Sequence, residues 1–133
     1  MAEEIHWYDR MFAEGELGSE QLQRLNVMLE NDTDVTQAPY RVVYLHHHPI
    51  HPKLFHQLKD SPQLEEALTG KRIDALLFGH NHAGYDFRGK WNIPRMYDAG
   101  TGTRKLNKSS RIRVMDLSRD PGFDYVLDVG GNI

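Results

Sequence analysis

Eight of the 133 residues are histidine, and five of them stand in two tight groups. His46, His47 and His48 are consecutive, and His80 and His82 are separated by one residue. Neutral imidazole is a ligand for divalent metals and a base near neutral pH. Clustered histidines in a chain with no cysteine point first to a metal site built from nitrogen rather than thiolate. In extended chain, His80 and His82 point to the same side with Cα atoms about 6.6 Å apart. Two imidazoles so placed can each hold one of two metals about 3.5–4 Å apart, the spacing of hydrolytic two-metal sites. In the triplet, strand alternation puts His46 and His48 on one face and His47 on the other, so only one face serves a cleft. Spacing alone leaves a solvated strand end as the competing reading.

The elements around these groups are those of a mixed α/β domain. Leu22, Leu25, Met28 and Leu29 make a helical stripe over about 20–30, with Ser19 offered as the N-cap. The run Asn31-Asp32-Thr33-Asp34 ends it. Tyr40–His46 is β-branched and aromatic and reads as a strand. Ser61 as cap, Pro62 at the first helical position, and Leu64, Ala67 and Leu68 give a short helix ending at Gly70. Ile73–Phe78 is a short apolar run of the buried-strand kind, stopped by Gly79. Both histidine groups therefore follow an apolar strand. Strand, helix, strand in that order suggests two parallel neighbours, and in open α/β sheets ligand sites form at the C-terminal ends of such strands. From 84 onward the texture predicts a meander of short strands near 84–88, 91–98, 111–117 and 123–129, with Arg88-Gly89-Lys90 as a hairpin turn. Residues 1–18 read as an irregular lead-in whose Trp7, Tyr8, Met11 and Phe12 pack in part on the domain.

Composition removes several classes. The 16 basic and 19 acidic side chains leave a formal charge of −3, which gives no sign of a nucleic-acid binder. No apolar run approaches the roughly 18 residues of a membrane span, and the first residues do not read as a signal peptide. With no cysteine, a disulfide scaffold and a cysteine nucleophile are excluded, and the expected compartment is the cytoplasm.

Gly79-His80-Asn81-His82 resembles the G-H-x-H motif of the calcineurin-like metallophosphoesterases. His46-His47-His48-Pro49, after its strand, resembles the metal-binding histidine segment that precedes that motif. Gly15-Glu16-Leu17-Gly18-Ser19-Glu20-Gln21-Leu22 resembles the G-x-L-G-x-x-Q-L helix start, and Asp98-Ala99-Gly100 the small-residue strand end after G-H-x-H. The resemblance spans roughly residues 15–105. It implies hydrolysis of phosphate mono- or diesters by a hydroxide activated between two divalent metals, whether manganese, iron or zinc. It implies that His47 and His80 ligate one metal and His82 the other, with His46 as the alternative to His47. The fold it implies is the C-terminal part of an α/β/β/α sandwich of mixed sheets flanked by helices.

The departures from that pattern are as informative as the match. The D-x-H, G-D-x-x-D and G-N-H-D motifs, which supply the bridging carboxylate and the histidine beside the phosphoryl oxygen, do not occur. The 1–133 chain is thus expected to be one partial domain, a C-terminal portion inactive by itself. The alternatives are a non-catalytic metal-binding or assembly fragment, or a subunit completed by a partner chain. The strand with Val42 and Val43 and the strand with Leu76, Leu77 and Phe78 would then lack cover, so a homo-oligomer, or docking of a missing N-terminal half, is expected. Asp98 is weighed as a strand-end turn residue ahead of a supporting role at the metal. Arg104, Lys105 and Lys108 are read as a solvated loop, His51 and His56 as surface, and Trp91 and Tyr97 as packing.

Overall fold

The computed structural model describes residues 15–51, 57–79, 86–98 and 111–128. Helix α1 spans Ser19–Asn31 and α2 spans Thr33–Gln37. Strand β1 is Val42–Leu45, helix α3 Ser61–Leu68 and strand β2 Ala75–Phe78. Strand β3 is Arg95–Asp98, and β4 (Arg111–Val114) and β5 (Tyr125–Asp128) complete the set. The chain is mixed α/β, with one parallel and one antiparallel sheet.

Helix α1 buries Leu22, Leu25 and Leu29, a face repeating at i, i+3 and i+7. Met28, expected in that stripe, is 49% exposed. At 100° per residue it lies well to one side of the Leu25–Leu29 line. Both predicted serine caps are displaced by one residue. Ser19 is the first helical residue and Gly18 the cap, with φ of +86° that only glycine adopts freely. Ser61 is likewise inside α3, whose cap is Asp60. The Asp60 carboxylate serves α1 instead, accepting from the Leu17 N–H at 3.0 Å and the Gly18 N–H at 2.8 Å. One buried acid thereby ties the starts of two helices together, which positions both against the sheet. The Asn31–Asp34 run begins a helix as well as ending one, because Asp32 accepts from the Asp34 and Val35 N–H groups.

The three central strands are parallel in the order β1-β2-β3. Their register sets Val43 beside Leu76 and Leu76 beside Met96. These three join Leu22, Leu25 and Leu29 of α1 and Leu64 and Leu68 of α3 in one buried cluster. The meander reading is corrected over its described part, 86–98, residues 84 and 85 lying outside the described residues. Among those described, Asp86 makes a single antiparallel bridge to Tyr97, and the chain turns through Gly89 and a short 3-10 helix at Lys90–Asn92. β3 then extends the parallel sheet, so three strand ends, not two, open onto the same side.

The opposite face of the sheet carries Arg95 and Tyr97 of β3, both buried. Asp124 accepts from Arg95 Nε at 2.7 Å and from the Tyr97 hydroxyl at 2.5 Å. The Arg95 guanidinium also donates to the carbonyls of Asp116 and Arg119. Arg113 of β4 stacks 3.9 Å over the Tyr97 ring. This cluster fastens the 116–124 segment and the β4–β5 ribbon over β3, whereas Tyr44 of β1 stays 77% exposed. Among the described residues, no helix is long and apolar enough to cross a membrane.

Candidate metal centre

The site begins where the parallel strands end. Leu45 of β1 is in register with Phe78 of β2. One residue further, the Gly79 N–H donates to the His46 carbonyl at 3.1 Å. The chain therefore leaves β1 and β2 side by side at His46 and Gly79. His80 and His82 fall outside the described residues, as do His56, Arg104, Lys105 and Lys108.

Strand alternation does not persist into the triplet, because β1 stops at Leu45. His46 is exposed, and both His47 and His48 are buried. The chain beyond the strand is held by Gln57–Lys59: the Leu58 N–H donates to the His48 carbonyl at 2.7 Å, and Ser61 Oγ donates to the Pro49 carbonyl. Two rings from adjacent residues can then enter the interior on different sides.

His48 is spoken for. Its Nδ1 donates to the Ile50 carbonyl at 2.9 Å, and its Nε2 lies 2.7 Å from Asp98 Oδ2. His48 and Asp98 side chains are both fully buried. The ring stacks edge-on against Phe78 at 4.6 Å and His51 at 5.1 Å between centroids. With both nitrogens facing oxygens, His48 has no nitrogen left for a metal, and its work is to lock the end of β1 to the end of β3 across β2. The turn reading of Asp98 is thereby replaced. It is the buried last residue of β3, aimed at the histidine loop. The reading of His51 as a surface residue is corrected too, since it is half-buried against His48.

His47 is placed differently. It is 2% exposed and packs under the segment that leads into α1. A Cβ built on Gly15 would lie 2.5 Å from His47 Nδ1 and 2.8 Å from its Cγ. Gly15 is thus the only residue type that allows the ring this position, and its carbonyl accepts from the Lys59 N–H at 2.9 Å. The first glycine of the G-x-L-G run clears space for His47, and the second supplies the positive φ before the helix. Gly15→Ala is expected to displace the imidazole at a cost of about 1–3 kcal/mol. Urea unfolding measures the loss. A wild-type midpoint with unchanged His47 ring resonances would contradict this packing.

Of the expected ligands among the described residues, His47 is the one whose ring is interior, one residue past the His46 carbonyl that meets Gly79. His46, the alternative, has its ring at 5.0 Å from that of His47 in an edge contact, on the exposed side. Among the described residues, no three His, Cys, Asp or Glu side chains converge in a metal-holding group. The donor chemistry still fits a divalent ion of borderline softness: imidazole from 47 beside a segment that continues into His80 and His82.

Sequence reasoning missed the parallel placement of β3, and so set the turn reading of Asp98 ahead of a supporting one. The available signal was Asp98 itself, an acid directly after the apolar Met96-Tyr97 pair. Asp60 and Asp124 left no comparable mark. Compared with known proteins, the chain matches no family model and no curated protein.

Proposed function

We propose that the chain is the C-terminal portion of a calcineurin-like metallophosphoesterase, contributing His47, His80 and His82 to a centre for two divalent metals. The observation that carries this reading is the Gly79–His46 hydrogen bond between parallel strand ends, which sets the first residue of the triplet beside the residue that precedes His80 in sequence. The mixed α/β architecture with a parallel sheet supports the sandwich that such an enzyme needs, and the histidine set supports a hydrolase of phosphate esters.

The chain's own part in the chemistry is binding and orientation. His47 would hold a metal from within the protein, its ring fixed by Gly15 on one side. His80 and His82 would add imidazoles from the next strand end. His48 and Asp98 would fix the loop bearing His47 without touching the ion. When bound, two divalent metals would neutralise phosphoryl charge and activate a water for in-line attack. No carboxylate able to bridge two metals is evident in the sequence, so little or no turnover is expected from this chain alone.

Titration calorimetry with Zn²⁺ tests the reading. Binding is expected in the wild type and a drop of tenfold or more in His47→Ala and His80→Ala, about 1.4 kcal/mol each. Unchanged affinity in both, with loss in His51→Ala or His56→Ala, would overturn the site. An aryl phosphate assay in Mn²⁺ runs beside it. Turnover at the ordinary enzyme scale of about 1 s⁻¹ or more would contradict the need for the absent motifs.

A further inference from the structure

Among the described residues, β1 is an edge strand of the parallel sheet. The Arg41 carbonyl accepts from Ala75 at the start of β2, so the pleat turns the peptide groups of Val42 and Tyr44 away from β2. Among the described residues no strand lies against them. Edges that remain unpaired in water carry lysine, proline or a bulge. Val42–Leu45 carries none of these, and Val42 and Tyr44 are 42% and 77% exposed. Beside the edge runs a groove of about 620 Å³ whose walls include Arg24 and Met28 of α1 and Val42 and Tyr44 of β1.

The geometry points to a homodimer in which β1 pairs antiparallel with β1 of a second copy and the two α1 helices run alongside. Charge decides between a copy of this chain and another strand. Glu20 and Arg24 stand one turn apart on the groove wall, ion-paired at 2.6 Å and both largely exposed. A two-fold axis reverses the direction of α1, so each copy can present Glu20 to Arg24 of the other. A rim of one sign would repel its own copy, whereas this rim is self-complementary. With the axis at Tyr44, that residue exchanges both N–H···O bonds with its counterpart, and Val42 stands opposite His46 of the second copy. Val42 and Tyr44 then lose much of their exposed apolar surface to water-free contact. None of this depends on the metal reading.

Light scattering over a dilution series of the full chain tests it, with metal left out so that failure of the metal site has no bearing. The expected mass is twice 15.4 kDa at the concentrated end. Tyr44→Lys places a charge on the paired edge and is expected to raise the dimer dissociation constant about tenfold or more. Arg24→Glu sets like charges across the axis and is expected to weaken the dimer by a similar factor, about tenfold for two symmetric pairs. The charge-exchanged double variant Glu20→Arg with Arg24→Glu is expected to restore it. A monomer at every concentration overturns the inference. So does a dimer indifferent to Tyr44→Lys, or a double variant as weak as Arg24→Glu alone. A monomer whose Val42 and Tyr44 amides resist hydrogen exchange would show that another segment of the chain occupies the edge.

Discussion

Asp98→Ala is expected to lower stability by about 3 kcal/mol, the upper end of the scale for leaving a buried hydrogen-bonding group without its partner. The reason is location. The Asp98 and His48 side chains are both fully buried, with Nε2 and Oδ2 2.7 Å apart. Alanine leaves the buried ring nitrogen without its carboxylate partner, and an unpaired buried polar group bears its full desolvation penalty. Asp98→Asn keeps an oxygen in place and is expected to lose about 1 kcal/mol. The ordering Ala worse than Asn, read by urea unfolding, distinguishes a hydrogen-bond role from simple volume loss. Equal losses in the two variants would show that packing alone is at stake. Because the pair anchors the loop bearing His47, Zn²⁺ affinity is expected to fall in Asp98→Ala even at temperatures where the protein remains folded.

Asp124→Ala is expected to match or exceed that loss, at about 3–5 kcal/mol. Its side chain and that of Arg95 are 1% and 3% exposed and meet at 2.7 Å. Removing the carboxylate strands a buried guanidinium and the Tyr97 hydroxyl together. Burial pushes the Asp124 carboxyl up, but the hydrogen bonds from Arg95 and Tyr97 and the Arg95 charge outweigh it and leave it below its ordinary value. Its contribution is therefore present above the unfolded carboxylate range near pH 4 and is lost as pH falls through the lower folded value. Tyr97 moves the other way. Burial first, and then the Asp124 hydrogen bond, raise its phenol well above the ordinary value. Its share is full below about pH 10 and is lost progressively as pH rises beyond it, where the unfolded phenol ionises first. Thermal melts from pH 7 to 11 are expected to show a decline above about pH 10 that Tyr97→Phe reduces. A flat profile, or a decline that Tyr97→Phe leaves intact, would contradict the cluster.

What the sequence shows plainly is what local periodicity and turn chemistry control. The buried face of α1, the strand at β1, the short helix α3 and the strand at β2 are all readable from apolar spacing and from Pro62 and Gly79. The parallel pairing of β1 and β2 follows from the helix between them. A strand near 91–98 is readable too, but its parallel place beside β2 is not, because Arg95-Met96-Tyr97-Asp98 has no apolar run of the buried-strand kind. Its two charged members, Arg95 and Asp98, are buried through Asp124 and His48, 29 and 50 positions away in the chain. Such long-range polar satisfaction leaves no local periodic trace. The same holds for the serine caps, displaced by one residue because Asp60 reaches across to α1. In the histidine triplet, alternation was the wrong rule, since the strand ends before it and loop hydrogen bonds set each ring. The glycines of G-x-L-G were visible as a motif, but the reason for Gly15 is a ring more than thirty residues away, which only packing reveals.

The most direct test of the central claim is the ¹⁵N spectrum of the imidazole rings during Zn²⁺ titration of the full chain. Ring nitrogens of His47, His80 and His82 are expected to shift together as metal is added. Those of His48, held between the Ile50 carbonyl and Asp98, are expected to stay where they are. Shifts at His48, His51 or His56 with His47, His80 and His82 unmoved would contradict the assignment of this site.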